Sequence, residues 1–208
     1  MTKSEIRKNI KNFFLSSEGK QVKADVEALQ RNTVYCKEFL NKIPFYNEAK
    51  TIFAYYPLKQ EFPTHGLLKQ AYSDGKIIGL PLVDGKELIF KKVRFEDGQI
   101  FPLEQGAFGV LEPSQSAKTL FMPDKPENIG KTIEFPLLLL IPGRAFTKTG
   151  ERLGWGGGFY DRFLEKLFRH KSENKVFLVG LCFSAQLVEN LPTEDFDRSV
   201  DIVLTEKM

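Results

Sequence analysis

The first apolar pattern along the chain has the period of an α-helix. Four apolar residues recur at intervals of three or four positions and would share one side of a helix over residues 2–16: Ile6, Ile10, Phe13 and Phe14. Thr2 and Glu5 have the spacing of a capping box, which marks the start of a helix. Four basic residues lie mostly off this apolar stripe, so the other face of this helix is predicted to be basic: Lys3, Arg7, Lys8 and Lys11.

Helical and extended patterns alternate over the next part of the chain. A second helix is predicted from about Val22 to Leu40, and residues 41–44 end it. The β-branched and aromatic run at residues 51–57 is typical of a strand. Pro63 and Thr64 would begin a helix that continues to about Ser73, because proline suits the first turn of a helix.

The second half of the chain is richer in strand patterns. Residues 76–83 predict a strand that ends at an Asp-Gly turn, and residues 88–93 predict its antiparallel neighbour. Residues 114–130 are polar and contain prolines, which indicates a long loop. The apolar runs at residues 135–142 and 175–183 predict buried strands.

A helix is predicted between these two buried strands, and a short strand at residues 202–205 follows them. The apolar positions of the helix have near-helical spacing: Phe159, Phe163, Leu164, Leu167 and Phe168. Helices that alternate with strands are typical of α/β proteins. We therefore expect residues 1–208 to form a single α/β domain with a mixed, mostly parallel central sheet flanked by helices.

Composition narrows the possible partners and compartments. The 208 residues are 42% hydrophobic and 27% charged, with a formal net charge of +3, which is too weak to indicate a nucleic acid or an anionic membrane as partner. Cys36 and Cys182 lack the spacing of a metal site and lie in apolar patterns, so both are predicted to be reduced core thiols. No apolar run approaches the length of a membrane span, and a cytoplasmic location is the expectation.

The most informative stretch is the glycine-rich loop between residues 144 and 162. It follows a predicted strand and precedes a predicted helix, and its glycines would let backbone amides approach a ligand closely: Gly154, Gly156, Gly157 and Gly158. Amides at the start of a helix favour an anion, and Lys148, Arg152 and Arg162 add positive charge. These features predict a phosphate site. Asp161 would repel phosphate unless Mg²⁺ lay between them.

The spacing of the glycines does not fit the two common nucleotide motifs. A dinucleotide fingerprint beginning at Gly154 would require glycine where Phe159 stands, and a P-loop beginning at Gly143 would require glycine where Lys148 stands. On spacing alone, a flexible turn without a ligand is an equally good interpretation of the loop.

As a string of residues, however, the loop is specific. Residues 150–164, GERLGWGGGFYDRFL, resemble the signature of the 5-formyltetrahydrofolate cyclo-ligases, also called methenyltetrahydrofolate synthetases. Shorter segments resemble the same family in the correct order along the chain: Lys3 with Arg7, Glu61 in a loop before a helix, Phe108–Pro113, Gln186, Leu191-Pro192, Asp197 and Asp201. The resemblance covers nearly the whole chain and implies a three-layer fold.

The family resemblance also implies a reaction and a site. The reaction is the ATP-dependent cyclisation of 5-formyltetrahydrofolate to 5,10-methenyltetrahydrofolate, with Mg²⁺ as cofactor. The implied catalytic residues are Arg152 and Asp161, and the implied metal ligands are Asp161 and Asp197. ATP would contact Lys3, Arg7, Arg152, Tyr160 and the glycines at 154, 156, 157 and 158. The folate substrate would contact Tyr56, Glu61, Glu112, Trp155 and Tyr160.

Each of these residues also has an interpretation without function. Lys3 and Arg7 could form a solvated basic face, and Glu61 could interact only with a helix dipole. Glu112 and Asp197 could be turn or cap residues. The chain also departs from the family at Arg144, where an apolar residue is usual, at Thr147, where aspartate is frequent, and at the variable positions Trp155 and Gly157. Basic contacts from the last two are therefore absent, and Lys148 or Arg144 could compensate.

Two other functions are compatible with the sequence. One is a protein of the same fold that binds nucleotide or folate without turnover, and the other is a kinase for a different small molecule. In every case the expected partners are small molecules, with no nucleic acid and no membrane, and a monomer is the expected state.

Overall fold

The structure is a computed structural model that describes residues 1–106, 109–122, 132–170, 175–194 and 197–207. The described helices are α1 Lys3–Leu15, α2 Ser17–Leu29, α3 Thr33–Asn41, α4 His65–Ser73 and α5 Phe159–His170, together with a short 3-10 helix at Ser184–Gln186. The predicted capping box is present at the start of α1, because Thr2 and Glu5 exchange side-chain to backbone hydrogen bonds. In the described part of the chain, no helix is long and apolar enough to cross a membrane.

A central sheet of eight strands organises the fold. The described strands are β1 Thr51–Phe53, β2 Ile77–Asp84, β3 Glu87–Glu96, β4 Gln99–Phe101, β5 Leu103–Gln105, β6 Leu111–Pro113, β7 Thr119–Phe121, β8 Leu137–Ile141, β9 Ala145–Phe146, β10 Arg152–Leu153, β11 Val176–Leu181 and β12 Ile202–Leu204. The sheet has the order β12-β11-β8-β1-β2-β3-β4, and β7 also pairs with β3. The first five strands in this order are parallel, whereas β3 is antiparallel to β2, β4 and β7. The predicted mixed, mostly parallel sheet is confirmed.

The side chains of β8 alternate between two apolar clusters, and this shows why the fold has three layers. Successive side chains of a strand point to opposite faces of a sheet. Leu138 and Leu140 pack in the cluster that contains the apolar faces of α1 to α4, whereas Leu137 and Leu139 pack in the cluster with Phe163 and its neighbours on α5. All the residues of β8 are buried, as expected for a strand covered by helices on both faces.

The predicted helix at residues 22–40 is wrong in its continuity. The structure divides this region between α2 and α3, which are separated by residues 30–32. Asn32 has an extended backbone, and its side-chain oxygen accepts a hydrogen bond from the Val34 amide at 2.9 Å. An asparagine in this position satisfies the free amides of a new helix, and it therefore begins α3 instead of continuing α2.

The predicted loop at residues 114–130 is also partly wrong. Thr119–Phe121 forms β7, which pairs with Phe90 and Lys91 of β3. The Lys91 ammonium donates to the Gln115 carbonyl at 2.8 Å and so ties the approach to β7 against the same strand. The rest of this predicted loop, residues 123–130, lies outside the described residues, as does Phe108 of the segment that resembles the family.

Candidate active site

A cleft of about 830 Å³ lies past the carboxyl ends of the central parallel strands. Its walls come from α1, from the loops after β1 and β8, from β2, β3 and β6, and from the segment before β12. Ligands of open α/β sheets bind at this edge, because loops from neighbouring strands converge there. All the residues to which the family resemblance assigned a role in catalysis or in binding ATP, folate or metal line this one cleft, although their roles stay predictions.

The glycine-rich loop begins as a β-hairpin, which the sequence analysis did not predict. Arg152 pairs with Phe146, and Leu153 pairs with Ala145. Thr147 is buried and closes the hairpin, because its hydroxyl accepts from the Glu151 amide at 3.1 Å. Thr147 thus has a structural role at a position where the family often has aspartate.

After the hairpin, the chain runs through Gly154, Gly156, Gly157 and Gly158 and enters α5 at Phe159. Gly156 has a φ of 107° and Gly158 a φ of 65°, a region in which other residues are strained. The predicted arrangement of a glycine loop at the start of a helix is therefore present.

Gln186 fixes the start of this loop. Its side chain is fully buried, and its amide nitrogen donates to the carbonyls of Gly143 at 3.0 Å and Arg144 at 3.1 Å. Its side-chain oxygen accepts from the Phe183 amide at 2.9 Å. One side chain thereby joins the end of β8 to the end of β11, which are neighbouring strands of the sheet.

Arg152 is the buried cation of the cleft. Its side chain is 4% exposed, and its guanidinium forms an ion pair with Asp161 in the first turn of α5. Among the described residues, its Nε has no hydrogen-bond acceptor, and the buried hydroxyl of Tyr160 also has no partner. Buried polar groups are seldom left unsatisfied in native proteins, so these two donors in the lining indicate a polar ligand.

Lys3 and Arg7 face the cleft, one turn apart on α1. Both side chains are half-buried and line it, whereas Lys8 and Lys11 are exposed. Arg7 donates from Nε to the Gly154 carbonyl at 3.0 Å, which joins α1 to the glycine loop. The interpretation of Lys3 and Arg7 as a solvated face is wrong, although it holds for Lys8 and Lys11.

Three carboxylates line the phosphate side of the cleft, and the sequence analysis missed one of them, Glu194. Lys3 donates to Glu194 at 2.8 Å and to Asp197 at 2.9 Å, and these hydrogen bonds raise the pKa of Lys3. Burial raises the pKa of Asp197, but the hydrogen bonds from Lys3 and the Glu194 amide outweigh it, so the pKa lies below its ordinary value. The sequence feature that could have pointed to Glu194 is its position three residues before Asp197, a predicted metal ligand.

The donor set suits a magnesium ion that shares its ligands with a nucleotide. Mg²⁺ is usually held by one or two carboxylates together with phosphate oxygens, and Asp161 and Asp197 supply two carboxylates in one cleft. In this structure Asp161 pairs with Arg152, and Asp197 pairs with Lys3. Within the described ranges, no three or more histidine, cysteine, aspartate or glutamate side chains are close enough together to hold a metal ion by themselves, so the phosphates would have to supply further ligands.

Glu61 organises the opposite side of the cleft. Its carboxylate is 5% exposed, accepts from the Leu58 amide at 2.9 Å and accepts from the Trp155 indole at 2.7 Å. Burial raises the pKa of Glu61, while these two hydrogen bonds and the charge of Arg144 lower it in part. Glu61 is therefore bound to defined partners within the cleft rather than to the dipole of α4 alone.

Tyr56 and Glu112 complete this side. Strand β1 ends at Phe53, earlier than residues 51–57 predicted, so Tyr56 belongs to the loop that enters the cleft. Glu112 is buried in β6, and its carboxylate packs so close to Gly106 that a side chain at position 106 would collide with it. Glu112 thus belongs to a strand that lines the cleft and is not a turn residue.

Two cations predicted near the phosphate, Lys148 and Arg162, do not line the cleft, and neither does Arg144, which was suggested with Lys148 as compensation. Lys148 is exposed, and Arg162 donates to the Lys86 carbonyl at 2.7 Å. Arg144 lies 3.6 Å above the Trp155 ring and bonds to Gln60, so it acts on the side that holds Glu61.

The sequence is similar to known enzymes over nearly its whole length. The sequence model of the 5-formyltetrahydrofolate cyclo-ligase family matches residues 1–206. The 5-formyltetrahydrofolate cyclo-ligase of Haemophilus influenzae is 30% identical over 190 residues, which cover 88% of this chain and 91% of that protein. The enzyme of the same name from Mus musculus is 28% identical over 162 residues, which cover 77% and 75% of the two chains. The NMR structure of Aquifex aeolicus 5,10-methenyltetrahydrofolate synthetase has a TM-score of 0.69 and 29% identity, covering 100% of this chain and 91% of that one.

Proposed function

Because the chain belongs to the 5-formyltetrahydrofolate cyclo-ligase family, we propose that it converts 5-formyltetrahydrofolate and ATP into 5,10-methenyltetrahydrofolate, ADP and phosphate. The observation that carries this proposal is the pair of unsatisfied buried donors, Arg152 Nε and Tyr160 OH, in a cleft that also holds a glycine loop. Donors fixed in advance stabilise charge on a transferring group without having to reorganise.

The chemistry requires a leaving group. The formyl oxygen is amide-like and leaves poorly, but after it attacks the terminal phosphorus of ATP it is an ester oxygen of phosphate, and ADP departs. The second folate nitrogen then attacks the activated formyl carbon, the carbon–oxygen bond breaks, and phosphate leaves with that oxygen. Nucleophile and leaving group both belong to the substrates, so the protein contributes positioning and charge stabilisation.

The buried cysteines agree with a mechanism that has no enzyme nucleophile. Both thiols are free and buried, and burial raises the pKa of Cys36 to about 11 and that of Cys182 still further. A thiol of high pKa is protonated at neutral pH and is a weak nucleophile.

On the phosphate side, Lys3 and Arg7 would bind the nucleotide from α1, and Arg152 would neutralise the transferring phosphoryl group. The glycine amides between Gly154 and Gly158 would contribute further donors at the start of α5. Asp161 and Asp197 would hold Mg²⁺, which supplies charge neutralisation to the phosphates when it is bound. Because Lys3 now bonds to Asp197, we propose that binding the nucleotide releases Lys3 from this carboxylate to the phosphates.

On the other side, Glu61 would accept hydrogen bonds from the amino and ring N–H groups of the pterin. Trp155 and Tyr56 would pack against the substrate, and Glu112 would contribute a second acceptor. The Tyr160 hydroxyl stays protonated, because burial and the charge of Glu61 raise its pKa, and it can therefore donate to a substrate oxygen.

We also propose that the chain is one domain, because the central sheet takes strands from residue 51 to residue 204. The monomeric state and the cytoplasmic location remain predictions.

The decisive experiment combines protein, ATP, Mg²⁺ and 5-formyltetrahydrofolate labelled with ¹⁸O at the formyl oxygen. We expect the methenyl absorbance band to appear and the label to be released in phosphate. Binding of both substrates without the band would support a non-catalytic binding protein of this fold. Transfer of phosphate to another acceptor would support a kinase, and label retained in the folate would contradict the proposed chemistry.

A further inference from the structure

Arg144 is a buried cation that acts next to the cleft without lining it. It is 7% exposed, its guanidinium carbon lies 3.6 Å from the centre of the Trp155 ring, and its side chain also bonds to Gln60. Trp155 in turn donates to Glu61 at 2.7 Å. These side chains form a continuous series from Arg144, outside the cleft, to the Glu61 carboxylate within it.

Hydrogen bonds hold the backbone of Arg144 through both its amide and its carbonyl. The Arg144 amide donates to the Leu153 carbonyl at 2.7 Å, and its carbonyl accepts from the Gln186 side chain at 3.1 Å. Trp155 lies between two glycines, and its side chain is 42% exposed. A large ring on such a backbone would lose considerable rotational freedom when ordered, so a fixed planar partner is needed to hold one orientation.

We infer that Arg144 is a positioning residue for the folate side of the cleft: its guanidinium holds the Trp155 indole in the orientation that donates to Glu61. A planar guanidinium stacks on the face of an indole more effectively than an ammonium does. The inference rests on the proposed function in so far as Glu61 binds the folate. Arg144 thus acts on the folate side, although the sequence analysis suggested that it could replace the basic contacts absent from the phosphate side.

The same arrangement affects the ionisation of Glu61. The Glu61 carboxylate accepts from the Leu58 amide and from the Trp155 indole, and the charged or titratable groups that act on it are Arg144, Tyr55 and Tyr160. Burial raises the pKa of both tyrosine hydroxyls and keeps them neutral. Arg144 is therefore the cation that counteracts the effect of burial on the pKa of Glu61. Without Arg144 the Glu61 carboxylate should take up a proton at a higher pH. As the pH is lowered, the loss of folate affinity that accompanies this protonation should therefore begin at a higher pH than in the unmodified protein.

The orientation of Trp155 can be measured directly, since it is the only tryptophan of the chain. We expect Arg144→Leu to shift its emission to longer wavelengths in the free protein, because the indole loses its cover and becomes more exposed to water. Arg144→Lys should give an intermediate emission. Arg94→Leu is the matched control, because Arg94 lies 4.5 Å from the ring of Phe101, away from the cleft, and this variant should leave the emission unchanged.

Binding measurements test the consequence for the site. We expect Arg144→Leu to raise the dissociation constant for 5-formyltetrahydrofolate about tenfold, equivalent to about 1.4 kcal/mol, and to change that for ATP less than twofold. Trp155→Phe, which removes the indole donor, should have a similar effect. The double variant should be no weaker than the weaker single variant, because both changes break the same series of contacts.

Three results would overturn the inference: an unchanged emission in Arg144→Leu, equal losses of ATP and folate affinity, or fully additive losses in the double variant. A pH profile of folate affinity that does not move would also contradict the role of Arg144 at Glu61. If Arg144→Leu does not fold, Arg144→Lys provides the emission comparison, and Arg144→Lys and Trp155→Phe together provide the binding comparison. The emission of the free protein does not depend on turnover, so a failure of the proposed reaction is distinguishable from a failure of this inference.

Discussion

The guanidinium of Arg152 forms an ion pair with the carboxylate of Asp161, which lies nine residues later in the first turn of α5. The pair joins the end of the loop hairpin to the start of the helix. It also gives Asp161 a cationic partner within the protein. In the free protein, the negative charge of Asp161 beside the predicted phosphate site is therefore already balanced.

Asp161→Asn should reduce turnover far more than stability. Asparagine keeps an oxygen that can accept from Arg152, so we expect the free energy of unfolding to fall by no more than about 3 kcal/mol. Loss of the charge that balances Arg152, and that we propose binds Mg²⁺, should lower kcat about 100-fold or more. Denaturant titration and steady-state kinetics at several Mg²⁺ concentrations measure the two effects.

Asp201→Asn is the control for this variant, because the Asp201 carboxylate accepts from the Leu178 amide at 2.6 Å and does not line the cleft. It should lower stability while leaving kcat per folded molecule unchanged. Full activity of Asp161→Asn at limiting Mg²⁺ would show that Asp161 only stabilises the start of the helix.

Replacing Lys3 or Arg7 with alanine should weaken ATP binding about ten- to a hundredfold, because a hydrogen bond to a charged group contributes about 1.5–3 kcal/mol. Lys3→Ala should have the larger effect, since it also leaves Glu194 and Asp197 without their cation near the phosphates. Lys8→Ala on the exposed face of α1 should change ATP affinity by less than twofold. Calorimetry with ATP and, separately, with folate measures these constants. Equal and small shifts in all three variants would mean that α1 contributes only a diffuse positive field.

The ion pair between Lys3 and Asp197 should give stability a defined pH dependence. The pKa of Asp197 is depressed below 3.8, so its contribution is present above pH 3.8 and is lost as the pH falls through the lower value of the folded state. The pKa of Lys3 is raised above 10.5, so the contribution of the pair is also lost as the pH rises beyond that value.

Unfolding in urea of the unmodified protein and of Asp197→Asn, measured from pH 3 to pH 7, tests this point. The difference in free energy of unfolding should be constant near neutrality and should shrink towards pH 3. Glu189→Gln, at an exposed position of the same segment, should show no such trend. A difference that does not depend on pH would rule out an ionic contribution of Asp197.

Tyr160→Phe should lower activity without lowering stability. The Tyr160 hydroxyl is buried and lacks a partner among the described residues, so its removal should leave stability unchanged or raise it. If the hydroxyl donates to substrate, kcat/KM should fall about two- to tenfold. Thermal melts and initial rates give the two values. Retained kcat/KM would show that the hydroxyl does not reach the substrate.

Tyr46→Phe provides the matched control for Tyr160→Phe. The Tyr46 hydroxyl donates to Asp74 at 2.6 Å in a part of the core that does not line the cleft. Its loss should cost about 1.5–3 kcal/mol of stability, because the partner is a carboxylate, and should leave kcat/KM unchanged.

The sequence alone determined those features that depend on near neighbours. Such features are the apolar stripe of α1, its capping box, and the hairpin of β2 and β3. The residues that specify each of them lie within a few positions of one another. The continuous apolar run of β8 predicted a strand buried on both faces for the same reason. The family of the chain could also be identified from the sequence, since residues 150–164 form a specific string and the family model matches residues 1–206.

Local competition explains the elements that the sequence analysis placed wrongly. The helical pattern at residues 22–40 continues through Asn32, but the side chain of Asn32 caps a new helix. Strand β7 is only Thr119–Phe121, too short to stand out from a polar segment, and it exists because β3 offers an edge to pair with. A pairing of this kind depends on a partner that is distant in sequence.

Only the tertiary structure decided which side chains meet in the cleft. Lys3 and Asp197 are 194 residues apart, and their ion pair depends on how α1 packs across the carboxyl ends of the strands. The choice of Trp155 as the partner of Arg144, and of Asp161 as the partner of Arg152, likewise follows from the path of the loop hairpin and not from spacing. The sequence specifies the residue types that can form such contacts, whereas burial and distance, which the packed fold sets, select the pairs that form.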